Sequence, residues 1–334
     1  MTKKSEKKLL ITGVAGFIGS HLLDRALGEG YRVIGIDNFL TGRMSNIDAV
    51  LSNHAEVADR FDLYRDDVRD LDKMVRLAVG CECIFHEAAI GSVPWSIQDP
   101  LLAHHTNLTG FVNILEAAKA NAIKRVVYAS SSAVFGDATG VPAREQAEGE
   151  CLSPYASTKR SQEIYAQSYA RCYGLEIIGL RYFNVFGPRQ DPNGAYAAVI
   201  PKWGAAMARS ESCTIYGDGS ATRDYCHVSN VVEANFMAAA MKSPSEHGCS
   251  YALNIGCGAE TSLVDLYQMM KAAFLKKGMP SVPEPTYVPS RLGDIERSCA
   301  DISMAKRVLG FEPKISVKDG LASLILDGEF DIIP

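Results

Sequence analysis

The chain has 334 residues, with 34 basic and 39 acidic side chains, a formal charge of −5 and 47% hydrophobic residues. That length suits two units of about 150 residues, or one large α/β unit with an added lobe, and a core of that size needs no disulfide or metal to hold it. The acidic balance argues against a dedicated nucleic-acid binder, ordinary composition excludes collagen-like, disordered and coiled-coil chains, and no apolar run reaches the ~18 residues that span a bilayer.

MTKKSEKK has the charge of a signal-peptide start, but three glycines interrupt the apolar run after it and no small-residue cleavage pattern follows. Within that run KLLIT (8–12) ends at glycines and predicts a buried parallel strand, and a helix follows over 17–27. Strands are expected at 31–37, more weakly at 61–67, and at 83–89, with a helix near 71–79 and a long one over 100–121. RVVYASS (125–131) and LEIIGLRYF (175–183) read as strands on either side of a helix at 155–173. This βαβ repetition predicts a parallel sheet with helices on both faces.

Over 184–224 the alternation lapses into Gly, Pro, Asn and Asp, as in loops that approach a ligand. A helix at 231–241, a strand at 251–256, a helix at 262–276, a Pro-rich stretch at 280–289 and a short helix near 301–309 complete the chain. Nine cysteines, an odd number and scattered, read as reduced thiols of a cytoplasmic protein. Cys81 and Cys83, with His86 nearby, have poor spacing for zinc, and CECIFHEAA reads better as a buried strand.

Gly13-x-x-Gly16-x-x-Gly19 lies between the first strand and the first helix, where glycines allow a tight turn, close approach of the backbone to a pyrophosphate and tight helix–strand packing. The helix N-terminus then offers free N–H groups to the phosphates. Asp37, 24 residues after Gly13 at the end of the second strand, suits ribose hydroxyls and repels a 2′-phosphate, which favours NAD over NADP; Arg43 nearby works slightly the other way. The fold expected is an α/β Rossmann-type doubly wound parallel sheet with a smaller C-terminal α/β substrate lobe. The sheet domain takes 1–183 and 225–256, and the lobe takes 184–224 and 257–334.

Tyr155 and Lys159 stand four apart in SPYASTK and so project from one helix face. A free tyrosine titrates near ~10, and a neighbouring ammonium and a positive nicotinamide ring would both favour its phenolate. Ser131, ending a strand, is placed to share a hydrogen bond with a substrate hydroxyl.

TGVAGFIG, DNFLTG, DDVRD, the serine cluster, YASTK and RYFNVFGPRQ together resemble the extended short-chain dehydrogenase/reductase family along nearly the whole chain. HEAAIGSVPWS, QDPNGAYAAVIPKW, IYGDGSATRDYCHV and RLGDIERSCADIS narrow the likeness to nucleotide-sugar 4-epimerases of the UDP-N-acetylglucosamine type. The resemblance implies that Tyr155 takes the proton of the sugar 4-hydroxyl while C4 gives hydride to NAD. The 4-keto sugar then turns over and receives hydride on its other face. Lys159 holds the nicotinamide ribose, and Ser131, with Ser132 beside it, holds the 4-oxygen.

By the same resemblance Gly13, Gly16, Phe17, Ile18, Gly19, Asp37, Asn38, Gly42, Ala88 and Tyr182 contact the cofactor, Asp67 and Val68 border the adenine, and Asn107 supports that side. Arg223 and Arg291 match positions that contact the diphosphate, Asn184, Ala198 and Lys202 lie near the sugar and diphosphate, and Tyr216 near the uracil. Ser298 is the position whose small side chain leaves room for an N-acetyl group, with Gly91 and Ser92 lining the same pocket. The family pairing of helices 100–121 and 155–173 implies a homodimer. Phe135 in place of a usual tyrosine and Trp95 in place of an arginine bear on substrate preference rather than reaction type.

A 4,6-dehydratase needs an acid and a base, and the dehydratases of this fold carry Asp-Glu directly after the serine or threonine, where this chain has Ser132-Ala133. Epimerisation of the matching uronic acid is separated poorly by sequence, because the change is confined to C6, and a small Ser298 permits the N-acetyl sugar without excluding UDP-glucose. A nucleotide-sensing protein without catalysis would commonly lack the tyrosine or lysine, and both are present here.

Overall fold

A computed structural model describes residues 7–138, 140–192, 198–244, 247–290 and 295–330. Strands β1 (Lys8–Thr12), β2 (Arg32–Ile36), β3 (Phe61–Tyr64), β4 (Cys83–His86), β5 (Arg125–Ser131), β6 (Glu176–Tyr182) and β7 (Cys249–Ile255) form one sheet. Its order is β7-β6-β5-β4-β1-β2-β3, with every neighbouring pair parallel. This is the Rossmann-type doubly wound sheet. Side chains alternate across each strand, so Ile11 and Val33 face one core with Phe85, Val127 and Ile178, while Leu10 and Ile34 face the other with Ile84, Val126 and Ile177. Both faces are covered, which is why the strands read as continuous apolar runs.

The helices are α1 (Phe17–Gly28), α2 (Met44–Asn53), α3 (Leu71–Leu77), α4 (Val93–Gln98), α5 (Pro100–Ala103), α6 (Gly110–Ala120), α7 (Pro154–Tyr173), α8 (Val199–Ala208), α9 (Val228–Ala240), α10 (Leu263–Lys276), α11 (Ser303–Leu309) and α12 (Val317–Leu326). α7 shows why its limits were readable. Ser153 accepts the Ala156 N–H at 3.1 Å, Pro154 occupies the first turn, and Gly174 closes the helix with φ +71°.

The single helix expected over 100–121 is instead α5, a π-helical turn over His104–Thr109, and α6. The wider turn aims Asn107 inward, and its demand for buried polar partners is tertiary, invisible to helical periodicity. α2, α4, α8 and α12 lie outside the helices expected from the sequence. α8 carries Pro201 and Gly204 in its interior, and α12 is announced only by the Ser316–Asp319 capping pair, in which the Asp319 N–H meets Ser316 Oγ at 3.1 Å.

A third core gathers Trp203 and Met207 of α8, Ile215, Tyr267 and Met270 of α10, and Leu321 and Ile325 of α12. Ala305 of α11 and Phe311 pack instead into the sheet core with α9 and β7.

Candidate active site

The C-terminal ends of β1, β2 and β4 open into a cleft walled by Gly13, Gly16, Asp37, Val68, Glu87 and Ala88. Ligands of open parallel sheets bind at such strand ends. Gly13 has φ +68°, and a Cβ there would sit 2.7 Å from the Ala88 nitrogen. A Cβ on Gly19 would sit 2.1 Å from the Gly13 carbonyl oxygen, so this glycine lets α1 close on the loop. α1 begins at Gly16 with no side-chain cap, which leaves the N–H groups of Phe17 and Ile18 at a free helix end.

Asp37 is buried, and burial raises its pKa even though it accepts the Ala15 N–H at 2.9 Å and the Phe39 N–H at 2.8 Å. Gly42 packs against that carboxylate, where a Cβ would lie 2.7 Å from Oδ1. Arg43 pairs with Asp191, so its charge is engaged away from a 2′-phosphate role. Asn38 donates to Asp67 at 2.8 Å, and Arg69 forks onto the same carboxylate, holding it down to about 2.

At the inner end, Ser131 closes β5 and lies in register with Tyr182 of β6. The Ser131 side chain accepts the Ala133 N–H at 3.1 Å and is in hydrogen-bonding reach of the Tyr155 phenol. Ser132 opens the short 3₁₀ turn that follows. Lys159 is 2% exposed, donates to the Ala129 carbonyl at 2.7 Å and lies 6.0 Å from the Tyr155 ring centre. Burial pulls its ammonium down to about 8, against the pull of Glu87 and Glu163.

The Tyr155 phenol stands above its ordinary value, because burial raises it, the Ser131 hydrogen bond lowers it and Glu87 raises it again. Burial thus outweighs the help expected from the ammonium, which is committed to Ala129.

Asn107, fully buried on the π-turn, accepts the Ile90 N–H at 2.7 Å and donates to Thr158 Oγ1 at 3.0 Å. It therefore clasps the β4 loop to α7 between Tyr155 and Lys159. Tyr182 donates to Glu87 Oε1 at 2.9 Å.

The positions expected near the sugar nucleotide are not among those that wall this cleft. Gly91 has open space around its Cβ position, and Ser92 caps α4 by accepting the Trp95 N–H at 3.2 Å. Asn184 donates to the Asp224 carbonyl at 3.2 Å, and Arg223 to the Thr222 carbonyl at 2.8 Å. Ala198 and Lys202 form the first turn of α8, Tyr216 ends a short strand at Thr214–Tyr216, and the Ser298 N–H bonds Thr222 at 3.2 Å. Arg291 lies outside the described residues.

Residues 9–256 match the NAD dependent epimerase/dehydratase family model. The chain belongs to that family. It is 37% identical over 320 residues to the UDP-glucose 4-epimerase of Mycolicibacterium smegmatis, covering 95% of this chain and 97% of that one. Its structure is similar to a UDP-N-acetylglucosamine 4-epimerase of Methanobrevibacter ruminantium in complex with UDP-N-acetylmuramic acid (TM-score 0.86, 34% identity, 96% and 97% covered). It is also similar to the Thermotoga maritima UDP-glucose 4-epimerase with UDP-glucose (TM-score 0.85, 34% identity, 95% and 97% covered).

NAD is the cofactor of this epimerase-family enzyme, of the extended short-chain dehydrogenase/reductase type. Its residues fit that group. The glycine turn is bare of side chains, the α1 N-terminus has no cap of its own, and a carboxylate stands at the end of β2.

Sequence reading passed over Glu87 as part of a strand, although the residue just past the C-terminal end of a central parallel strand is where a ligand is met. Among the described residues no helix is long and apolar enough to cross a membrane.

Proposed function

We propose that this chain is an NAD-dependent 4-epimerase of UDP-sugars whose main substrates are UDP-GlcNAc and UDP-GalNAc. The observation that carries the reaction is the meeting of Tyr155, Ser131 and Lys159 beside Glu87, which lines the nucleotide cleft. Bound NAD supplies the acceptor that takes a hydride from the sugar and returns it.

The chain's own groups do the rest. Tyr155, as phenolate, takes the proton of the 4-hydroxyl and later gives it back. Ser131 donates to the 4-oxygen, Ser132 borders it, and the Lys159 ammonium holds the ribose and supports the phenolate. Arg223, Arg291 and Lys202 neutralise the diphosphate, and Tyr216 and Asn184 border the nucleotide and sugar.

Small Ser298 supports the N-acetylated sugar over a plain hexose. We assign 184–224 and 257–334 to the sugar-nucleotide lobe, apart from α11 and Phe311, which pack into the sheet core, and 1–183 with 225–256 to the NAD domain. A homodimer through α5, α6 and α7 is supported by the exposed Leu101, Ile164 and Tyr165. A cytoplasmic location agrees with the thiol chemistry of nine cysteines.

The test is separate incubation with UDP-glucose, UDP-GlcNAc and UDP-GlcNAcA, with products read by NMR. Fastest conversion of UDP-GlcNAc to UDP-GalNAc is expected. Preference for either other sugar overturns the substrate assignment, and no 4-epimer from any of them overturns the reaction.

A further inference from the structure

The Lys159 ammonium is taken out of water, and among the described residues its one hydrogen-bond acceptor is the Ala129 carbonyl at 2.7 Å. Its surroundings decide whether it stays charged. His86, on the neighbouring strand, is held neutral by burial and by Lys159 itself. Glu163, one turn along α7, is already committed: it takes two bonds from Arg181 and one from Arg160, and Glu148 is shared by the same two arginines. Two carboxylates thus face two guanidiniums, and although Glu163 adds to the pull on Lys159, Glu87 comes first.

Glu87 is different. It lines the cleft, and among the described residues it forms no ion pair and its one side-chain hydrogen bond comes from the Tyr182 hydroxyl at 2.9 Å. That hydroxyl is fixed in turn by Asn235 Nδ2 at 2.9 Å, so the carboxylate is held in place from β6 and α9. Glu87 follows His86, which is in register with Tyr128 of β5, so it comes level with Ala129, whose carbonyl holds the Lys159 ammonium. The titratable groups facing it are Tyr182 from β6, and Lys159 and Tyr155 from α7.

We propose that Glu87 is a positioning residue, the counter-charge that keeps the Lys159 ammonium protonated in the working site. Burial lifts Glu87 itself to about 7, so its charge is present above neutrality, where Lys159 most needs it. The same charge opposes the Tyr155 phenolate, and the site accepts this because a neutral Lys159 would remove cationic support altogether. The inference rests on the roles proposed for Tyr155 and Lys159.

Glu87→Gln keeps the shape and an acceptor for Tyr182. In ligand-free protein, a heteronuclear NMR titration of labelled lysines, with Lys159→Arg assigning the signal, should place the wild-type midpoint near 8. In Glu87→Gln it should fall by about one pH unit, and Glu87→Asp should recover part of the shift. The alkaline limb of kcat/KM should move down with it, so activity is lost more at high pH than at low pH. Tyr182→Phe, which lets Glu87 keep its proton to higher pH, should move the midpoint the same way by less, and serves if Glu87→Gln does not fold. An unmoved midpoint, or a loss that is uniform across pH, overturns the proposal. Tyr155→Phe separates the two levels: retained activity there sinks the reaction assignment, while the lysine titration still judges Glu87.

Discussion

Beneath the reactive helix, Arg181 and Glu163 are each 1% exposed and meet through two parallel bonds, Nε to Oε1 and Nη2 to Oε2, both 2.8 Å. Ser130 Oγ adds a bond to Oε1 at 2.7 Å, so β5, β6 and α7 are joined behind Ser131, Tyr155 and Lys159. Burial pushes the Glu163 carboxyl up, but these partners together hold it below its ordinary value. Removing one partner leaves an uncompensated buried charge. Glu163→Leu should therefore lower unfolding free energy by about 3–5 kcal/mol, and Arg181→Leu by a similar amount. The double variant should lie nearer wild type than either single one in denaturant titrations, and simple additivity would show the pair is not coupled.

Tyr155→Phe removes only the phenol oxygen. The helix start is set by Ser153 and by the Tyr155 N–H bond to Ser96 Oγ at 3.0 Å, neither of which uses that oxygen. The variant should fold and bind NAD, as read by calorimetry, and lose about 10²–10⁴-fold in kcat.

Gly13→Ala combines a positive φ of +68° with a Cβ 2.7 Å from the Ala88 nitrogen. Strain of this kind costs about 1–3 kcal/mol, and it falls on the loop that faces the cofactor. NAD affinity should drop by about tenfold or more. Unchanged affinity in calorimetry would show that the turn tolerates the methyl.

His21 is held down to about 4, first by burial and then by Arg189, which crosses from the loop after β6. Its folded value lies below the ordinary 6.5 of the unfolded chain, so below that pH the unfolded state binds a proton the native state refuses. The stability it contributes is complete above pH 6.5 and is lost as pH falls through 4. The loss is on the order of 3 kcal/mol. His21→Asn should flatten this part of the profile in urea unfolding at stepped pH, and an equally steep fall in the variant would assign the loss to other groups.

The sheet strands, the limits of α7 and the glycine turn were legible because each is a local matter. Apolar runs buried on both faces, a Ser-Pro start with a Gly stop, and glycines where no Cβ fits all leave their mark within a few residues. Tyr155 and Lys159 were readable for the same reason, since four residues make one helical turn.

The π-turn under Asn107 and the isolation of Glu87 were not. Asn107 is drawn inward by Ile90 and Thr158, and Thr158 stands 51 residues away. Glu87 takes its meaning from Tyr182, 95 residues on, and from a lysine whose other acidic neighbour is occupied by arginines. The sequence by itself determined the sheet, the glycine turn and the placing of Tyr155 and Lys159 one helical turn apart, through periodicity and short-range stereochemistry. Only the tertiary structure decided which buried charges are paired and which stand alone, because desolvation and Coulomb forces act through space between strands that the chain keeps far apart.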